Sequence, residues 1–296
     1  MIGRRRFLAV SAAAVAGGPA RAAPAPLRWR GRALGAEAAI TLNAPEAQAR
    51  PALKAALARL REAEGLFSLF DPASALSRLN AAGRLDAPAA PMLRLFARID
   101  ALHAVTGGLF DPTVQPLWRA LAEGRDPAPA AALIGWERVR HGPEGIRLAP
   151  GQALTLNGIA QGFATDAVAA ALRAHGLGDL LVNIGEFAGT GGPWRVGIED
   201  PKIGPVTGRW LTEGAIATSS PAALSLGARS HILHPAGGAP RWSTVSVEAE
   251  DATLADGLST ALCLADRPAI AALHARLPGF RRGALVSPEG EVSTLA

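Results

Sequence analysis

Leu254–Ala261, LADGLSTA, is the stretch around which the chain is organised. It sets Asp256 and Thr260 four residues apart, a spacing that on a helix puts both side chains on one face. A carboxylate beside a hydroxyl is a pair of hard oxygen donors, better suited to Mg2+ than to a soft metal. Taken alone, D-x-x-x-T is also what a capped helix start shows. A second stretch adds weight to the metal reading. Leu154–Thr165, LTLNGIAQGFAT, can approach with backbone carbonyls and a glycine turn. The helix expected over 163–175 would point its N-terminus, with its partial positive charge, at a phosphorylated ligand held between the two stretches.

Working outward, residues 27–42 read as a strand pair joined at ALGA (33–36), with Gly35 at the junction. Apolar residues at 53, 56, 57, 60 and 63 predict a helix over 51–66. FSLFDPASALSRLN (67–80) reads as an aromatic turn and a short helix capped by Ser74, followed by a small-residue loop over 81–90. A second helix is expected over 91–105, stopped by Thr106-Gly107-Gly108, then an ordered loop over 106–116 and a hairpin over 136–148. Residues 154–159 read as a strand, 180–184 as a buried strand, and the glycine run 185–192 as the most flexible stretch. Strands follow over 194–198, 206–211, 214–220, 230–235 and 243–249. Helices are expected over 255–264 and 268–277, and a last strand over 283–286. Several strands pair as hairpins and strict βαβ alternation is missing. The expected class is therefore α+β, with mixed, mainly antiparallel sheets flanked by helices in one domain over 23–296.

Residues 1–22 read as a targeting segment rather than structure. RRRFL (4–8) is followed by a short apolar run and a small-residue site, Ala20-Arg21-Ala22, the pattern of a twin-arginine signal. Periplasmic export is expected, by a route that generally carries folded proteins. The formal charge of +5 and pI near 10.7 suggest nucleic acid at first sight. Arg4, Arg5, Arg6 and Arg21 all belong to the leader, which contains no acid, so the remainder is close to neutral. With no basic run left, nucleic acid is not an expected partner. No window is long and apolar enough for stable membrane insertion. The single cysteine, Cys263, excludes an intrachain disulfide and reads as a buried structural thiol.

Known phosphate loops are missing: there is no G-x-x-x-x-G-K-[ST], and no G-x-G-x-x-G between a strand and a helix. The six histidines show no zinc spacing. His231 and His234 in SHILHP would face opposite sides of a strand, which makes them poor joint ligands. Ser219 and Ser220 lack the G-x-S-x-G setting of a hydrolase nucleophile and read as phosphate-binding or turn-shaping groups. Asp111 in LFDP fits either a ligand contact or an Asx turn before Pro112.

Several stretches, in this order, resemble one family. FSLFDPASALSRLN, TGGLFDPTVQPLW, NGIAQGFATDAV, LLVNIGE, IATSS, SHILHP and LADGLSTA are similar to motifs of the ApbE family of periplasmic flavin transferases. The resemblance spans about residues 30–265. It implies an enzyme that binds FAD, uses Mg2+, and moves the FMN moiety onto a Thr or Ser hydroxyl of a partner flavoprotein with release of AMP. Carried over by position, the metal would be held by Asp256, Thr260 and the backbone carbonyl of Gly158. FAD would contact Leu34, Phe70, Leu109, Phe110, Asp111, Thr155, Gln161 and Ile232. His231 matches the histidine that would help deprotonate the acceptor hydroxyl, a task suited to an imidazole titrating near neutrality.

The chain departs from the family pattern in places. The usual D-L-x-G-I-A-K-G has Thr155 for its acid and Gln161 for its lysine. N-I-G-G has become N-I-G-E with Glu186, T-S-G has become T-S-S with Ser220, and His234 replaces the Asp of H-I-I-D-P. The neutral N-G-I-A-Q-G resembles a subgroup serving nitrous oxide respiration. The lost charges at Thr155 and Gln161 leave open an FAD-binding accessory or carrier protein without turnover; a metal-dependent FAD pyrophosphatase is a further alternative.

Overall fold

The structure is a computed structural model that describes residues 25–295, so the leader read over 1–22 lies outside the described residues. β1 (Leu27–Ala33) and β2 (Ala36–Leu42) form a hairpin whose two-residue turn, Leu34-Gly35, has both residues at positive φ, 48° and 83°. That turn matches the right-handed twist of its strands, and glycine takes it without strain. Ala38, Ile40 and Leu42 alternate inward along β2.

α1 (Glu46–Phe67) starts before the 51–66 expected, because Ala49 extends its buried face past the larger side chains. α2 (Ala75–Ala82) is capped by Ser74, whose Oγ accepts from Ser77 N at 3.0 Å. The loop expected over 81–90 contains a short strand, β3 (Arg84–Asp86), which pairs with β5. α3 (Ala90–Val105), α4 (Gln115–Ala122) and the single turn α5 (Ala128–Ala131) precede β4 (Arg140–Gly142) and β5 (Gly145–Arg147). The hairpin over 136–148 is therefore present, but shorter than expected.

The strand expected over 154–159 does not form. Leu154 is paired by a side chain instead: its N–H donates to Asn80 Oδ1 at 2.7 Å and its carbonyl accepts from Asn80 Nδ2 at 2.8 Å. A carboxamide satisfies one residue's donor and acceptor but cannot continue a ladder.

α6 (Ala160–Ala174) leads into β6 (Leu180–Ile184) and then a long hairpin, β7 (Phe187–Asp200) and β8 (Gly204–Ser219). The glycine run 185–192 is thus mostly strand rather than a loose loop. Gly185 holds positive φ in the turn between β6 and β7, and Gly191 and Gly192 hold it within an irregular register between Thr190 and Trp194. The strands expected over 206–211 and 214–220 are one strand, β8. β9 (Ser225–Leu226) and β10 (Arg229–Ser230) make a small ribbon, so the strand expected over 230–235 stops at Ser230, whose Oγ instead donates to the Pro221 carbonyl and accepts from Ile232 N. β11 (Thr244–Ala249), α7 (Ala252–Leu262), α8 (Arg267–Arg276), β12 (Phe280–Val286) and β13 (Val292–Leu295) complete the described residues. The last of these strands was not expected.

The main sheet has eight strands in the order β1-β2-β6-β7-β8-β11-β12-β13, with every neighbouring pair antiparallel. α7 lies against β8 and β11, α6 against α7, and α1 against α6. The α+β class with mainly antiparallel sheets flanked by helices is what the structure shows. None of the helices among the described residues is long and apolar enough to cross a membrane.

Candidate functional site

Every residue of α7 except Thr260 is buried. The helix is held at its start by two carboxylates. Asp251 caps it from its own chain, accepting from Leu254 N at 2.7 Å, and pairs with Arg98 of α3 at 2.7 Å. Asp166 of α6 accepts from Ala252 N and Thr253 N, both at 2.8 Å. Burial raises the pKa of Asp166, and those hydrogen bonds oppose the shift.

Asp256 lies in the middle of α7 and Thr260 in its last turn, rather than at its opening. The loop before α6 meets both. Gly162 N donates to Asp256 Oδ2 at 2.9 Å, and Thr260 Oγ1 donates to the Gly158 carbonyl at 3.5 Å. Glycine is required at both contacts. A Cβ on Gly158 would lie 2.8 Å from Thr260 Oγ1, and one on Gly162 would lie 2.2 Å from the Ala252 carbonyl oxygen. The three groups expected to hold a cation are thus brought together from stretches about a hundred residues apart.

Asp256 is 2% exposed, and burial lifts its carboxyl to about 7. The Gly162 N–H pulls it back down, while the charge of Asp166 pushes it further up. None of the Lys, Arg or His side chains among the described residues forms an ion pair with Asp256. A buried carboxylate is tolerated when a cation compensates it. A carboxylate, a hydroxyl and a carbonyl are the hard donors Mg2+ takes, so the residues present fit that ion. A group of three or more His, Cys, Asp or Glu side chains able to hold a metal is missing among the described residues, and this set does not need one.

The FAD contacts implied by the resemblance fall into two groups. Leu34 is in the β1–β2 turn with its N–H 3.4 Å from Glu64 Oε1, and the Phe70 ring lies over neighbouring Gly35, 3.3 Å from where its Cβ would be. Phe70 is 71% exposed, an aromatic face in solvent. Leu109 is part-buried against the core. Phe110 is 4% exposed and packed in the core, so little of its ring is open for stacking. The carboxylate of Asp111 accepts from Thr113 N at 2.8 Å and Trp136 N at 3.1 Å, which is the Asx-turn alternative. Thr155 N donates to the Pro112 carbonyl at 2.9 Å, tying this loop to the one before α6. Gln161 packs over Gly185, whose missing Cβ leaves 2.8 Å to the carboxamide.

His231 and Ile232 follow β10. His231 Nδ1 lies 3.1 Å from the Leu224 carbonyl, which can only accept. In that contact Nδ1 is the donor, which directs the Nε2 edge of the ring away from Leu224. Ser230 Oγ donates to the Pro221 carbonyl at 3.0 Å and accepts from Ile232 N at 3.0 Å. Pro221 lies just past Ser219, whose Oγ is 2.8 Å from Ser259 Oγ and 3.3 Å from Thr260 Oγ1. The end of β8 therefore connects the histidine loop to the α7 pair.

Sequence reasoning missed Asp166 and Glu186 as site groups. Asp166 was visible inside NGIAQGFATDAV, but its contacts are on a helix more than eighty residues later. Glu186 sits between β6 and β7 and is 6% exposed; its Oε2 accepts from Thr218 N at 3.1 Å. Burial, then the charge of Asp256, raises its pKa well above the carboxylate range. Cys263 is buried as expected, its Sγ 3.2 Å from the Ser259 carbonyl, and burial pushes its thiol up.

A family model described as the ApbE family matches residues 34–281. A Rhodobacter capsulatus protein named FAD:protein FMN transferase is 29% identical over 270 residues, 78% of this chain and 50% of that protein. A Vibrio cholerae protein of the same name is 30% identical over 233 residues, 69% of this chain and 70% of that protein. The chain thus spans half the length of the first relative. The crystal structure of the Pseudomonas stutzeri flavinyl transferase ApbE in its apo form superimposes with a TM-score of 0.77 at 25% identity, covering 91% of this chain and 94% of that one.

Proposed function

The chain belongs to the ApbE family, and on that premise we propose that it transfers the FMN half of FAD to a Thr or Ser hydroxyl of a partner flavoprotein, with Mg2+ and in the periplasm. The observation that carries this reading is the meeting of Asp256, Thr260 and the Gly158 carbonyl across two distant stretches. A divalent cation held there would neutralise charge on the diphosphate of FAD and on the departing AMP. The acceptor oxygen forms a bond to the phosphorus on the FMN side, and the bridging P–O bond to AMP breaks. His231, whose Nδ1 donates to the Leu224 carbonyl, would take the hydroxyl proton on its other ring nitrogen. The exposed ring of Phe70 offers a stacking face for a flavin or adenine.

The reading is tested by incubating the purified protein with FAD, Mg2+ and a candidate acceptor domain. AMP release together with a covalent, fluorescent acceptor is expected, and both should vanish in Asp256→Ala. Free FMN and AMP without an adduct would instead mean a pyrophosphatase, and tight FAD binding with neither product a carrier. Export is tested separately by cell fractionation: Arg4→Lys with Arg5→Lys should hold the protein in the cytoplasm, and unchanged export would remove the twin-arginine route.

A further inference from the structure

Glu186 is flanked by both walls of the site. Its Oε2 takes the N–H of Thr218, and the next residue, Ser219, touches Thr260. On the other side Gly185 faces Gln161, which precedes Gly162, the residue that donates to Asp256. The charges of Glu186 and Asp256 act on each other. Neither carboxylate is ion-paired by a cationic side chain among the described residues. The second oxygen of each, Glu186 Oε1 and Asp256 Oδ1, takes no hydrogen bond among the described residues. Since no fully buried side-chain oxygen is left unsatisfied, both open onto space that solvent can reach.

Two neighbouring buried carboxylates repel each other and are desolvated, and without a cationic partner that arrangement is unfavourable. A divalent cation resolves it, because one ion satisfies both. Resting on the metal site of the proposed transferase, we propose that Glu186 supplies a second carboxylate to the cation held by Asp256, Thr260 and the Gly158 carbonyl. The site then offers two anionic oxygens where the family pattern, with glycine at this position, offers one. This chain would hold its cation before FAD arrives, rather than depending on the substrate phosphates to complete the site.

The test is Mn2+ binding followed by electron paramagnetic resonance, with neither FAD nor acceptor present. Wild type should bind, Glu186→Gln should bind about 10- to 100-fold more weakly, and Glu186→Asp should fall between them. Glu186→Gln should melt at or above the wild-type temperature without metal, while gaining less on Mn2+ addition. If Glu186→Gln binds within about twofold of wild type while Asp256→Asn loses binding, the second carboxylate is refuted and the metal site stands. If Glu186→Gln lowers the metal-free melting temperature and leaves the Mn2+ increment unchanged, Glu186 is a fold residue and the proposal fails. If wild type binds no Mn2+, the proposal and the metal reading beneath it fail together.

Discussion

Gly162→Ala should damage both the fold and the site, and the size of the effect follows from one contact. A Cβ there would lie 2.2 Å from the Ala252 carbonyl oxygen and 2.8 Å from Asp256 Cβ. Both are fixed atoms of α7, so α6 and α7 must separate. Overpacking of this kind costs about 1–3 kcal/mol. The separation also stretches the 2.9 Å bond from Gly162 N to Asp256, of a type worth roughly 1.5–3 kcal/mol. Better helix propensity returns about 1 kcal/mol. The net loss is roughly 1.5–5 kcal/mol, a fall in melting temperature on the order of 3–20 °C for a domain of this size. Gly65→Ala is the matched control. Gly65 lies on the exposed side of α1 with nothing within 4 Å of its Cβ position. The same change there should stabilise by up to about 1 kcal/mol. Differential scanning fluorimetry with and without Mn2+ reads both variants. Wild-type melting and wild-type Mn2+ affinity in Gly162→Ala would refute the tight α6–α7 approach on which the site rests.

Other outcomes follow from the same geometry. The folded Asp256 carboxyl keeps its proton to about 7, against 3.8 for an ordinary Asp. The folded state therefore binds more protons between those values, and its stability falls as pH rises through that window, then levels off above it. Urea unfolding in EDTA at pH 5 and pH 8 should show this fall in wild type and a smaller one in Asp256→Asn; equal pH dependence would remove the assignment. His231→Ala should lower the rate of transfer while leaving FAD affinity unchanged by fluorescence titration, and a wild-type rate would exclude it as the base. Asn80→Ala removes both hydrogen bonds to Leu154 and should cost about 1–3 kcal/mol by chemical denaturation; a change below about 0.5 kcal/mol would show that the loop before α6 is held otherwise.

The parts of this molecule legible in its sequence were those with local causes. The β1–β2 turn needs positive φ at Gly35, and a glycine between alternating strands says so. The Ser74 cap and the spacing of Asp256 and Thr260 are equally local. What failed to show was set by distant partners. Leu154 looks like a strand residue because it is extended, yet its partner is the side chain of Asn80. The glycines over 185–192 suggest a loose loop, but β6 and β8 flank them and their positive φ values shape a bend within the sheet. Glu186 stood out only as a departure from N-I-G-G and Asp166 not at all, because their partners lie on distant elements. The grouping of Asp256, Thr260 and the Gly158 carbonyl was reachable from the order of motifs, whereas the hydrogen bond from Thr218 N to the buried Glu186 needed the folded chain.

The most direct measurement is anomalous diffraction from crystals of the protein grown with Mn2+ and FAD. The account expects a single manganese peak within coordination distance of an Asp256 carboxylate oxygen, Thr260 Oγ1 and the Gly158 carbonyl, touching the diphosphate of the dinucleotide. A manganese peak elsewhere, or FAD bound with its diphosphate away from the α6–α7 junction, would contradict it.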